Sequence, residues 1–243
     1  MVRSEDEALI RGSAERLYGK GQAIWDPADE WNVRKRGAID AFAKCHATAL
    51  LARSQTILDA GCGSQPYDWM PARAVGLDRF WMQVAGRPNA VAGDLTRLPL
   101  ASASMDTVVC VASVLNYVSA AEGIGEMARV TRQGGHLLLH FETSSSFDHL
   151  GTPRWRRSAA RLETLNGGRT DTIWVYRPAY IRALLAANGF RIVREQRFHI
   201  LSALGLRLGL SQQNAARLAA LDPGLGLASA FADDVILLAE KHA

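Results

Sequence analysis

The chain has 243 residues, a net charge of +4 and 48% hydrophobic residues. That length suits one large α/β domain with elaborations and supplies a sizeable core. No run of about 18 uncharged apolar residues occurs, so no transmembrane helix is expected. The start Met1-Val2-Arg3-Ser4-Glu5-Asp6-Glu7 is charged, without an apolar leader core. Cys45, Cys62 and Cys110 are odd in number and widely spaced. They suggest neither a disulfide framework nor a zinc knuckle, and a cytoplasmic protein without a resident metal is expected.

Residues 4–20 read as an amphipathic helix opened by Ser4, with acids in its first turn. The stretch 24–31, from Ile24 to Trp31, carries Asp26-Pro27, which breaks a helix. Trp25 and Trp31 are expected to pack in a lid. Residues 33–52 read as a second helix, with Ile39, Phe42, Ala43, Leu50 and Leu51 at helical spacing. Thr56-Ile57-Leu58-Asp59-Ala60-Gly61-Cys62-Gly63-Ser64 then runs apolar residues into an acid and a turn on two glycines. Lacking a Cβ, those glycines let the backbone turn tightly and approach a ligand. Val75-Gly76-Leu77-Asp78 and Val91-Ala92-Gly93-Asp94-Leu95 repeat the pattern of a short strand tipped by a carboxylate. Three such runs predict one crevice at the C-terminal edge of a parallel sheet.

Pro66 and Pro71 leave residues 65–74 room for a short, irregular helix at best. A buried central strand is predicted at 106–112, a helix at 122–130, and a turn at Gln133-Gly134-Gly135 into a fifth strand at 136–141. A helix at 178–188, stopped by Gly189, leads to strands at 190–198 and 234–240. Residues 199–232 are rich in Leu, Ala and Gly and read as an insertion packed on the core, with a homodimer or lipid-facing surface as the alternative. Residues 144–177 are too long for a plain connection. Between Arg154 and Arg197 ten arginines face three acids, a local charge of +7. This is either a solvated basic face or an attractor for an anionic substrate.

In the order and spacing of these motifs the chain resembles the class I S-adenosylmethionine-dependent methyltransferases, in the branch whose first motif reads Leu-Asp-x-Gly-Cys-Gly. The residues that carry the resemblance are Ile57 to Gly63, Gly76-Leu77-Asp78, Gly93-Asp94-Leu95, Leu98-Pro99-Leu100, Met105 to Val109, Val114-Leu115 and Gly134 to Leu139. The resemblance is close over residues 55–142 and loose elsewhere. It implies an α/β fold with a Rossmann-like seven-stranded, mostly parallel sheet, an antiparallel last strand and helices on both faces. One domain would span 1–243: an N-terminal helical cap (1–53), a cofactor-binding core (54–143), and insertions at 144–177 and 199–232 acting as lids over the acceptor.

It also implies site roles. Gly61 and Gly63, with Ala60 between the turn and the strand, would let the amino-acid moiety of S-adenosylmethionine lie against the turn, and Asp59 would orient that turn or bind the ligand's ammonium through water. Asp78 would accept from the ribose hydroxyls, with Arg79 beside it. Asp94 and Leu95 would meet the adenine, and Ala112 would belong to the same cofactor site. The family has no universal base, and Asn116-Tyr117 departs from the acid and histidine that many members carry after the fourth strand. Candidates for the base are His140, His149 and Tyr117, with Glu142 and Asp148 near them. Arg154, Trp155, Arg156 and Arg157 are expected to wall the acceptor pocket.

The activity implied is methyl transfer to a small molecule, such as a hydroxyl of a sugar, glycoside or natural product. Alternatives are a non-catalytic cofactor-binding scaffold or regulatory subunit and a methyltransferase acting on RNA. DNA is not expected as a partner, and no basic, aromatic-interleaved RNA motif is visible. An NAD-dependent oxidoreductase wants a third glycine where Pro66 stands.

Overall fold

A computed structural model describes residues 4–21, 25–166, 168–222 and 225–242. Ile24, where the first interhelical stretch was expected to begin, lies outside them. The seven-stranded sheet has the order β3-β2-β1-β4-β5-β9-β8. β1 (Ile57–Ala60), β2 (Val75–Asp78), β3 (Ala90–Ala92), β4 (Met105–Cys110) and β5 (Thr131–Glu142) run parallel. β8 (Phe190–Phe198) and β9 (Asp234–Lys241) close the edge, with β9 antiparallel to both β5 and β8. β1 is buried at all four positions, and Val108, Val109 and Cys110 of β4 are fully buried. Such apolar runs are what a parallel strand covered on both faces requires.

The helices are α1 (Ser4–Tyr18), α2 (Glu30–His46), α3 (Thr48–Arg53), α4 (Trp81–Val84), α5 (Ala120–Val130), α6 (Pro178–Ala187), α7 (Ile200–Arg207) and α8 (Gln212–Arg217). The second predicted helix is thus two helices that part at Ala47. Asp29 caps α2 by accepting from the Asn32 amide at 3.1 Å. The face α2 buries is Trp31, Lys35, Ile39, Phe42 and Ala43, which places a lysine inside an apolar stripe.

The segment 144–177 reads in the sequence as an inserted lid, with no strands assigned to it. It contains an antiparallel hairpin, β6 (Ala159–Asn166) with β7 (Arg169–Tyr176), against which α1 packs. Ser13 ties the two by donating to Asp171 at 3.0 Å. The insertion at 199–232 folds α7 and α8 against α2, where Trp31 packs on Ala215 and Ala216. No helix among the described residues is long and apolar enough to cross a membrane.

Candidate active site

At the end of β1 the chain turns through Gly61, at φ +73°. The amides of Gly61 and Cys62 donate to the Leu77 carbonyl at 2.6 and 3.0 Å, tying the turn to β2. Asp78, at the tip of β2, accepts from the Gly63 amide and the Phe80 amide, each at 3.0 Å. Burial raises its pKa in spite of those amides. Arg87 braces the back of the turn, donating to the carbonyls of Cys62 (3.2 Å) and Gly63 (2.8 Å). It stands 3.7 Å from Asp59. Burial pushes the Asp59 carboxyl up to about 6, against the pull of Arg87.

In front of the turn lies a cavity with an empty volume of about 790 Å³. Leu77, Leu95, Val114 and Val118 make its apolar walls, Asp78 and Asp94 its carboxylate tips, and Arg11, Ala14 and Tyr18 of α1 its cover. Burial would raise the Asp94 pKa, but the Thr96 amide and hydroxyl and the guanidiniums of Arg79 and Arg11 hold it low. Gly61, Asp78, Arg79, Asp94, Leu95 and Ala112 all line this cavity. Asp59, Ala60 and Gly63 are not in its lining: Asp59 faces Arg87, and the Gly63 amide donates to Asp78.

A second cavity, also of about 790 Å³, meets the first at Tyr18, Ala112 and Tyr117. Lys35, Glu142, Asp148, Asp171 and Asp233 bring ionisable groups to it, and His149, Trp25 and Trp31 bring rings. The junction is built from strained backbone. Ala112 and Ser113 both lie in the left-handed region, at φ 60° and 62°, a conformation costing roughly 1–2 kcal/mol for a residue with a Cβ. Two bonds hold Ser113 there: its amide donates to His140 Nδ1 at 3.0 Å, and its hydroxyl to Glu142 at 2.7 Å. Because His140 Nδ1 accepts, Nε2 carries the proton and donates to Asp234 at 2.9 Å. Burial keeps that ring neutral, against the pull of Asp234.

His140 therefore corrects the expectation. Its side chain is fully buried and lines neither cavity, so it holds the junction rather than meeting an acceptor. Tyr117 does reach the junction, where its hydroxyl donates to Asp171 and lies 2.9 Å from the Tyr18 hydroxyl. Burial drives its pKa well up, so it is a neutral phenol. His149 lines the second cavity with a side chain 1% exposed, and neither ring nitrogen makes a hydrogen bond. Its Nδ1 is 3.6 Å from Asp148. The expected wall of Arg154 to Arg157 is absent from this cavity; Trp155 instead stacks on Phe231 at 5.7 Å, and Arg156 and Arg157 are exposed. The insertion covers the cavity through His149 and the β6–β7 hairpin instead.

Lys35 was not anticipated. It reaches Glu142 at 2.5 Å and Asp234 at 3.5 Å from inside α2. Burial would depress its pKa, but the Asp234 and Glu142 carboxylates outweigh that and raise it. A lysine spaced four residues from Trp31 and from Ile39 was the available signal.

The Methyltransferase domain family matches residues 58–139 of this chain. The demethylmenaquinone methyltransferase of Mycobacterium sp. (strain KMS) is 51% identical over 61 residues, 24% of this chain. The match spans about a quarter (26%) of that relative's length. Among solved structures, the Burkholderia thailandensis 1,6-didemethyltoxoflavin-N1-methyltransferase has a TM-score of 0.58 at 16% identity, covering 100% of this chain and 92% of its own. The Streptomyces coelicolor A3(2) geranyl diphosphate C-methyltransferase has a TM-score of 0.58 at 13% identity, covering 99% of both chains. These likenesses show the fold. Over residues 58–139 the chain carries a match to a methyltransferase domain, which together with the fold supports S-adenosylmethionine as the cofactor.

The first cavity fits that cofactor by its donor set: carboxylates at two strand tips around an apolar slot. Asp78→Ala is expected to weaken S-adenosylhomocysteine binding by about 1.5–3 kcal/mol, the range for hydrogen bonds to a charged group. The same change frees the Gly63 and Phe80 amides, so a small drop in melting temperature should accompany it. Unchanged affinity in a calorimeter would remove Asp78 from the ribose site.

Proposed function

We propose that the protein transfers the methyl group of S-adenosylmethionine to a hydroxyl of a small-molecule acceptor, such as a sugar, glycoside or natural product. The observation that carries this reading is the meeting of the two cavities at Tyr18, Ala112 and Tyr117. A cofactor in the first cavity supplies an electrophilic methyl on a sulfonium sulfur. The protein's work is then alignment and removal of one proton. Tyr18 and Tyr117, locked to each other and to Asp171, frame the passage through which the acceptor oxygen must approach. Trp25 and Trp31 line the acceptor cavity, and Lys35 fixes Glu142 at the wall. His149 is the base: buried, free of hydrogen bonds, and steered by Asp148 on one side.

His149→Gln is expected to lower kcat/KM about a hundredfold, the low end for general-base loss, with S-adenosylhomocysteine affinity unchanged. Burial lowers the His149 pKa, against the pull of Asp148. The imidazole is therefore neutral at and above its ordinary range, and activity should fall only as pH drops below about 6.5. The test is a metabolite extract incubated with methyl-labelled cofactor, read by mass for one added methylene. Cofactor binding with no labelled product from any extract would favour the scaffold reading; failure to bind S-adenosylhomocysteine would end both.

A further inference from the structure

We propose that the acceptor carries a protonated amine, seated in the second cavity against Asp148, Asp233 and Glu142. The proposal rests on the methyltransferase reading and adds to it the charge class of the acceptor. The methylated atom need not be the amine.

The argument begins from a reversal of sign. The chain as a whole has a net charge of +4, yet four carboxylates line this cavity against one lysine, and no arginine among the described residues joins them. Burying carboxylates without compensation costs free energy, so each should have a partner. Two do. Glu142 has Lys35 and the Ser113 hydroxyl. Asp171 has the Ser13 hydroxyl, the Tyr117 hydroxyl and the Thr172 amide. Asp148, with a side chain 39% exposed to solvent, has His149 at 3.6 Å. Asp233 is crowded by Asp234, Glu142 and Asp148, and burial together with those neighbours pushes its pKa well up. Lys35 eases this, but its ammonium is already held by Glu142 and Asp234.

A second observation points to a ligand independently of the acids. The His149 ring is almost wholly buried at the same wall, with both nitrogens lacking a hydrogen bond. Buried imidazoles are ordinarily satisfied, so this one is placed for a group that the protein does not itself provide. Trp25 and Trp31 stand in the same lining. A diphosphate or other anion would meet Asp148, Asp233 and Glu142 with like charge.

The test uses the full chain loaded with S-adenosylhomocysteine, whose own binding is measured first by calorimetry. Loss of that binding would strike the methyltransferase reading and not this one. Tyramine, D-glucosamine and kanamycin are then titrated, each beside its N-acetylated form, with glucose 6-phosphate as the anionic control. At least one amine is expected to bind about tenfold or more tightly than its acetylated form, the effect of one hydrogen bond to a charged group. Asp148→Asn with Asp233→Asn should erase that preference, while Glu163→Gln, at an exposed position on β6, should keep it. The proposal is overturned if none of the three amines outbinds its acetylated form, if glucose 6-phosphate binds best, or if the preference survives the Asp148 and Asp233 changes.

Discussion

Gly61→Val is expected to lower the melting temperature by about 10 °C and to abolish S-adenosylhomocysteine binding. A Cβ at Gly61 would lie 2.3 Å from Val114 Cγ2 and 2.5 Å from Val114 Cγ1, distances no real Cβ keeps. The backbone there is at φ +73°, which a branched residue adopts only under strain. Left-handed strain of roughly 1–2 kcal/mol and overpacking of about 1–3 kcal/mol add to about 2–5 kcal/mol. For a chain of this size each kcal/mol moves the midpoint by about 2–4 °C. The obstacle is therefore the protein's own Val114, rather than the ligand space the sequence suggested. Val114→Ala in the same chain should recover part of the loss, because it relieves the contact and leaves the backbone strain. Scanning calorimetry of the two variants decides the matter. A Gly61→Val protein with an unshifted midpoint and normal cofactor binding would contradict this turn geometry.

The strands that carry the crevice were legible because each broadcasts a local signal. Ile57 to Ala60, Val75 to Asp78 and Val108 to Cys110 are short apolar runs, and glycines or acids end the first two. Chemistry and local structure coincide there, so reading one gives the other. The β6–β7 hairpin was missed although Leu162, Thr164 and Asn166 alternate with more exposed neighbours and Asn166-Gly167-Gly168 is a turn sequence. Its half-exposed strands lack the long apolar run that marked the core. The acceptor cavity was least legible because its walls come from distant stretches. Lys35, Glu142 and Asp234 meet across more than ninety residues of chain, and no window of sequence contains two of them. His140 misled for a related reason. A histidine at the tip of a central strand looks catalytic until Ser113 and Asp234 are seen to occupy both its nitrogens.

Lys35→Met is expected to cost about 3–5 kcal/mol near pH 7, the penalty for leaving buried charges without their partner. Methionine keeps the stem that packs in the stripe of Trp31, Ile39 and Phe42. What it removes is the ammonium that faces Glu142 and Asp234. The pH dependence distinguishes this from a packing defect. Burial would raise the Asp234 pKa, but Lys35, His140 and His199 together hold it below its ordinary value. A group with a depressed folded pKa stabilises above its unfolded value, and that contribution is lost as pH falls through the folded one. Lys35 itself has a raised folded pKa, so its contribution is intact below its ordinary value of about 10.5 and is lost only in strong alkali. Across the neutral range the deficit of Lys35→Met should therefore be at its largest and flat. On acidification the unpaired carboxylates of the variant take up protons sooner than those of the parent, and the deficit should shrink towards about pH 4.5. Adding Glu142→Gln to Lys35→Met removes one of the stranded charges and should return part of the stability at neutral pH. Urea unfolding of the parent, the single and the double variant at both pH values measures all of this. A deficit equal at the two pH values, with no recovery in the double variant, would reduce Lys35 to a packing residue and leave the second cavity without its charged frame.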